Sequence, residues 1–162
     1  MSLTTIERIQ RRVNRIANGK DLKVKPGQIE RFSEAATEGD FIRQGDLYLI
    51  VAQSPGDKSK FAWDDYLKSS GYSTPKKPSP QLVPGNTQGA KHCLDSLDGV
   101  ELLLPANWNE ESLQGPFLRI TKQRTVQHPT HGAVVIPAGF AILCSYQREY
   151  DKEQAKERRA RD

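Results

Sequence analysis

The chain has 162 residues, is 36% hydrophobic and 27% charged, and carries a formal net charge of +4. That length suits one domain with a real core, and no apolar run approaches the ~20 residues of a membrane span. Its two cysteines, Cys93 and Cys144, form no CxxC pair and no disulfide framework, and the basic N-terminus has no apolar signal core, so a cytoplasmic protein is expected.

The positive excess gathers near the start, where Arg8, Arg11, Arg12, Arg15, Lys20, Lys23, Lys25 and Arg31 stand against Glu7, Asp21 and Glu30. Such an arm can meet the phosphates of a nucleic acid, and it equally suits a solvated helix face. Residues 4–18 read as a helix. Thr4 and Glu7 fit a capping box, and Asn18-Gly19 offers a left-handed stop. Ile6, Ile9, Val13 and Ile16 recur at spacings of three and four and so share one narrow face. A helix of this kind is held up only by packing, on its own core or on a second subunit, and the second reading would make these four positions an oligomerisation stripe.

Leu22 and Val24 alternate with lysines as a short edge strand, and residues 28–36 suggest a short helix. After the turn Arg43-Gln44-Gly45-Asp46, the run Leu47–Gln53 is β-branched and aromatic and reads as a buried strand. Phe61, Trp63, Tyr66 and Leu67 give a brief amphipathic turn. The proline-rich residues 73–86 read as a surface loop. Strands are then expected at Val100–Leu104, Phe117–Thr121, Thr125–Gln127, Gly132–Ile136 and Phe140–Tyr146, the last pair joined by the turn Pro137-Ala138-Gly139. In the last strand Phe140, Ile142, Cys144 and Tyr146 fall on one face and Ala141, Leu143 and Ser145 on the other. Both faces are apolar, as in a central strand, and Cys144 fills space as a small buried residue. Asp151 caps a charged helix over 152–161.

The pattern therefore predicts a mainly β fold, a sandwich or small barrel, with an N-terminal amphipathic helix and a charged C-terminal helix. The divisions are a helical arm at 1–40, a β core at 41–150 and the terminal helix at 151–162.

His128-Pro-Thr-His131, with His92 beside Cys93, is the one constellation suggestive of chemistry. Imidazoles on turns suit a divalent transition metal such as zinc, so His92, His128 and His131 form a candidate metal site. Cys93 and His92 as nucleophile and base is a weaker arrangement, because neighbours on a strand point to opposite faces. Arg148, Glu149 and Tyr150 make a polar patch in which Arg148 can clamp a carboxylate or phosphate, or pair with neighbouring strands. Trp63, Tyr66 and Tyr72 near Lys58, Lys60 and Lys68 suggest base stacking, without the order of a known platform.

Arg43-Gln44-Gly45-Asp46, a loop bearing His92, His128-Pro-Thr-His131-Gly132, Pro137-Ala138-Gly139 and Gln147-Arg148-Glu149-Tyr150 stand in this order. Over residues 42–162 the series resembles a family of small uncharacterised bacterial and phage-associated proteins with the pattern R-Q-G-D, T-G-H-x-H, H-x-x-H-G, L-P-x-G, Q-R-E-Y. The resemblance carries no activity; it implies that His92, His128, His131, Arg148, Glu149 and Tyr150 hold the marked positions. Ala90 replaces the first histidine of T-G-H-x-H, and Pro129 and Thr130 stand where acidic residues are usual, which removes metal-ligating atoms. The leading expectation is a non-enzymatic interaction or assembly module, cytoplasmic or virion-associated, binding a protein partner or a second copy of itself. A metal-binding protein or metal-dependent enzyme, and a nucleic-acid-binding accessory protein, are the alternatives.

Overall fold

The computed structural model describes residues 29–57, 63–85, 92–151 and 156–159, so the helix expected at 4–18, its apolar stripe and the strand at Leu22–Val24 lie outside the described residues. The fold is mainly β. Its strands are β1 (Glu30–Arg31), β2 (Phe41–Gln44), β3 (Leu47–Gln53), β4 (Cys93–Leu94), β5 (Val100–Leu103), β6 (Gln114–Ile120), β7 (Arg124–Gln127), β8 (Val134–Ile136), β9 (Ala141–Tyr146), β10 (Arg148–Asp151) and β11 (Lys156–Arg159). One short helix is described, α1 (Trp63–Ser69).

A large antiparallel sheet has the order β2-β3-β9-β6-β5, and a small sheet has the order β1-β8-β7-β4. Neither closes into a barrel. In the small sheet only β1 runs parallel to its neighbour, with Glu30 beside Val134 and Arg31 beside Val135. Among the described strands, β10 and β11 form a third sheet by themselves.

The period of two decides which residues meet where. Leu47, Leu49 and Val51 of β3 join Ile142, Cys144 and Tyr146 of β9 in one core, which Leu94, Val126, Val134 and Ile136 of the small sheet complete. The alternate residues Tyr48, Ile50 and Ala52, with Ala141 and Leu143, turn to the outer face of the large sheet, where Trp63 and Leu67 of α1 cover them. Strands β3 and β9 are thus apolar on both faces, and the two-faced reading of β9 is met position by position.

Trp63 lies on Phe117 with ring centroids 5.2 Å apart. Arg119 bonds Asp64 in the first turn of α1 at 2.7 Å and so pins the helix to β6. Trp63 and Tyr72 are buried, which argues against an open platform for bases.

Close approach fixes two glycines. A Cβ on Gly115, at the irregularity in the β6–β9 pairing, would overlap the Tyr146 hydroxyl and sit 2.8 Å from its Cζ. Gly139 takes φ +97° in the expected turn before β9, and a Cβ there would lie 2.9 Å from Pro55.

Three expectations are corrected. Residues 29–36 form β1 and turns in place of a short helix, because Phe32 enters the core and its ring packs 5.7 Å from that of Phe140. The proline-rich stretch is more than a surface loop: Leu82 and Val83 are buried, and Leu82 N–H donates to the His92 carbonyl at 2.8 Å. The Tyr146 hydroxyl, itself receiving a hydrogen bond from Trp108 Nε1, donates to the Leu82 carbonyl at 2.6 Å. The prolines break regular structure on either side of a two-residue apolar plug. Finally, Lys156–Arg159 form a strand where a terminal helix was expected, in register with Arg148–Asp151. Pairing with a strand outweighs the helix propensity of this Lys- and Arg-rich run. No described helix is long and apolar enough to cross a membrane.

Candidate functional site

The two-residue turn between β2 and β3 builds the site's inner wall. Gly45 supplies φ +57° at its first position, the conformation such hairpins favour for glycine. Alternation along β2 then turns Gln44 inward beside Ile42, and Asp46 follows at the mouth of β3. Both Gln44 and Asp46 are only 2% exposed.

The Gln44 amide is oriented by its surroundings. Its Nε2 donates to the Val126 carbonyl at 3.0 Å and to the Gly132 carbonyl at 2.8 Å, so Oε1 faces His92 Nδ1, 2.8 Å away. An amide oxygen can only accept, which requires a hydrogen on His92 Nδ1. The other ring nitrogen, Nε2, shares a hydrogen with Asp46 Oδ1 at 3.0 Å. One glutamine therefore links the large sheet, the small sheet and a fully buried imidazole–carboxylate pair. Such a connected polar group is stable in a core because its members satisfy each other.

The three histidines do meet. The His92 and His128 centroids are 4.4 Å apart and tilted by 42°, His128 and His131 are 4.5 Å apart and tilted by 40°, and His92 and His131 lie 6.3 Å apart. The rings run from buried His92 to the partly exposed turn at 128–131. Within that turn His128 Nδ1 receives hydrogen bonds from the backbone N–H of Thr130 at 3.1 Å and of His131 at 3.2 Å.

Both nitrogens of His92 are engaged, Nδ1 with Gln44 and Nε2 with Asp46. Among the described residues no group of three His, Cys, Asp or Glu side chains is arranged to hold a metal ion. The same engagement removes His92 as a base for Cys93. Cys144 is fully buried, and burial pushes its thiol well above the ordinary value of 9.0. Burial also raises the Tyr72 phenol, helped by the nearby Cys144 and Tyr66, and that phenol donates to the Gly115 carbonyl at 3.0 Å.

On the other side of the turn, Arg43 Nε donates to the Gly45 carbonyl at 2.6 Å and Nη2 to Gln147 Oε1 at 3.0 Å. Gln147 N–H returns a bond to the Asp46 carbonyl at 2.8 Å. Residues 43–46, 92, 128–132 and 147, far apart in sequence, thus form one continuous junction. Arg148, Glu149 and Tyr150 follow directly on β10, where they pair in register with Arg159, Arg158 and Glu157.

Sequence reasoning passed over Gln44 and Asp46 as turn residues. The signal was present: Gln44 stands two positions after Ile42, on the face that β2 turns to the core.

A family model described as a domain of unknown function, DUF8820, matches residues 43–143. The span begins at Arg43 of the junction and ends within β9. No curated protein and no solved structure matches the chain.

Proposed function

This chain belongs to the DUF8820 family, and from that premise we propose that it is a non-enzymatic interaction and assembly module. Its contact element is the terminal ribbon of β10 and β11, and its first partner is a second copy of the chain. The observation that supports this reading is that the ribbon stands as a two-stranded sheet, joined to no other described strand. A ribbon of two strands is marginal in water unless something packs against it. Its register sets Glu149 beside Arg158 and Asp151 beside Lys156, but Arg148 beside Arg159. Mixed charge of this kind favours selective docking over indiscriminate sticking.

The junction supports the same reading from the other side. Gln44, Asp46 and His92 use their hydrogen-bonding groups on one another and on the backbone, which is the work of a scaffold. The spacing of Ile6, Ile9, Val13 and Ile16 adds a second contact element, read from sequence alone. The proposed setting in a phage, or in a bacterial gene cluster facing phage, rests only on the family resemblance.

Sedimentation velocity tests the proposal. The full chain self-associates across the micromolar range, while a chain ended at Gln147 is monomeric with unchanged near-ultraviolet circular dichroism. A full chain that stays monomeric throughout overturns assembly; association that survives the truncation overturns the ribbon's part in it.

A further inference from the structure

β1 and β2 are end strands of the small and the large sheet, and the chain from one to the other lines an open groove of about 360 Å³. Buried Phe32, Ala36 and Ile42 make its floor, and exposed Ala35 and half-buried Phe41 stand at its rim. The surroundings are acidic. Residues 30–40 carry Glu30, Glu34, Glu38 and Asp40 against Arg31, and the Arg31 guanidinium is turned to Gln123 Oε1 at 2.9 Å. Asp40 lines the groove itself and is exposed. The chain reaches this edge at Ile29, which is 71% exposed.

The chemistry that fits such a groove is an apolar stripe flanked by cations, and the sequence holds one. Residues 4–18 lie outside the described residues and enter the argument by their sequence alone. Ile6, Ile9, Val13 and Ile16 repeat there at the spacing by which amphipathic segments anchor in apolar grooves, with Arg8, Arg11, Arg12 and Arg15 between them. Residues 1–28 hold seven Lys and Arg against two Asp and Glu, and residues 29–162 hold seventeen against eighteen. The whole positive excess of the chain thus belongs to the arm, and the remainder is slightly negative.

We propose that the groove between β1 and β2 receives residues 4–18 of a second copy of the chain, so that two copies exchange their N-terminal arms. The proposal rests on the assembly reading and names the surface that its second contact element meets. Residues 19–28 link the segment to Ile29, and ten residues fully extended span up to ~35 Å. A folded chain of this length has a radius of gyration of ~15 Å, so an arm can reach a neighbouring groove as well as its own. Exchange fills two grooves per pair, the same number that two separate copies would fill, so it costs little. The ribbon contact then tips the balance toward the pair. Each copy gives and receives through the same elements, which closes the pair with twofold symmetry and stops further growth. Opposite charge selects the arm, so added salt weakens the exchange.

The test is paramagnetic relaxation in mixtures of full-length chains. A nitroxide is attached at Thr4→Cys in a Cys93→Ser background, where Cys144 is protected by its burial. An excess of this chain is mixed with isotopically labelled wild type, and the amides of the wild type are read by nuclear magnetic resonance. Those of Ala35, Ala36 and Ile42 lose most of their intensity and regain it when the nitroxide is reduced. The amide of Glu101, on β5 at the opposite end of the large sheet, keeps its intensity. Two variants abolish the loss: Ile9→Asp with Val13→Asp on the nitroxide chain, and Ala35→Trp on the labelled chain, which fills the groove from an exposed position. Broadening at the groove only when nitroxide and isotope share one chain would overturn exchange in favour of docking at home. Broadening elsewhere, nowhere, or undiminished in both variants would overturn the groove as the receiving surface. Sedimentation of the same mixtures separates the two readings: a pair that forms without broadening at the groove leaves assembly standing and sinks the exchange, and a chain monomeric throughout sinks both.

Discussion

Replacing Gln44 with Met tests whether the junction clamps the two sheets. Methionine keeps the length and nearly the volume of the side chain, so packing changes little. It removes the hydrogen bonds to Val126, Gly132 and His92, at 3.0, 2.8 and 2.8 Å. Three ordinary hydrogen bonds contribute about 3 kcal/mol together, and groups left buried without a partner raise the loss toward ~6 kcal/mol. Measured against a usual domain stability of ~5–15 kcal/mol, this is a large fraction, equivalent to a fall in Tm of roughly 6–20 °C. Urea unfolding followed by Trp63 and Trp108 fluorescence reads it directly. The midpoint falls while the slope stays constant, because the surface exposed on unfolding does not change. Gln147→Met is the control: its partly exposed Oε1 accepts a single bond from the Arg43 guanidinium at 3.0 Å, and its loss costs about 1–2 kcal/mol, below the loss expected at Gln44. A Gln44→Met variant no less stable than that control would refute the clamp.

Two other substitutions read different parts of the core. Gly115→Ala drives a methyl group against Tyr146 and to within 3.2 Å of Cys144 Cβ. Thermal melts of this variant should show a loss of roughly 1–3 kcal/mol, the usual effect of overpacking a tight core. In Cys93→Ser, the remaining thiol, Cys144, reacts with a disulfide reagent at pH 8 only as fast as the protein unfolds, so prompt labelling would contradict its burial. Because burial holds the Cys144 thiol above its ordinary value of 9.0, its contribution to stability is full below about that pH. It declines as the solution becomes more alkaline, which a denaturation series from pH 8 to 11 measures.

The strands were legible where local pattern and tertiary demand agree. Leu47–Gln53 and the two-faced alternation of 140–146 leave the chain few choices, since apolar residues at every position need cover on both sides. The meeting of three histidines was visible only as a proximity of types, because their chemistry depends on partners from other segments. Nothing near His92 in sequence announces Gln44, and the amide orientation that governs the imidazole follows from two carbonyls more than eighty residues away. Lys156–Arg159 carries strong helix formers, yet Arg148–Asp151 lies within reach to pair with it, and single-segment propensity does not register that option. Leu82-Val83 was hidden in the same way: two apolar residues among prolines count for little until a gap between sheets is there to receive them.

The order of the large sheet has a consequence for how the protein is made. Its central strand, β9, flanked by β3 and β6, ends at Tyr146. During synthesis β3 has been exposed, with its Leu-Tyr-Leu-Ile-Val run, for some ninety residues before its main partner leaves the ribosome. Until then β2 is its one strand neighbour in the native order, and the rest of its edge is open to other chains. Fragments that stop short of β9, whether from a premature stop codon or a protease, should therefore gather in aggregates and become chaperone clients rather than survive as partly active pieces.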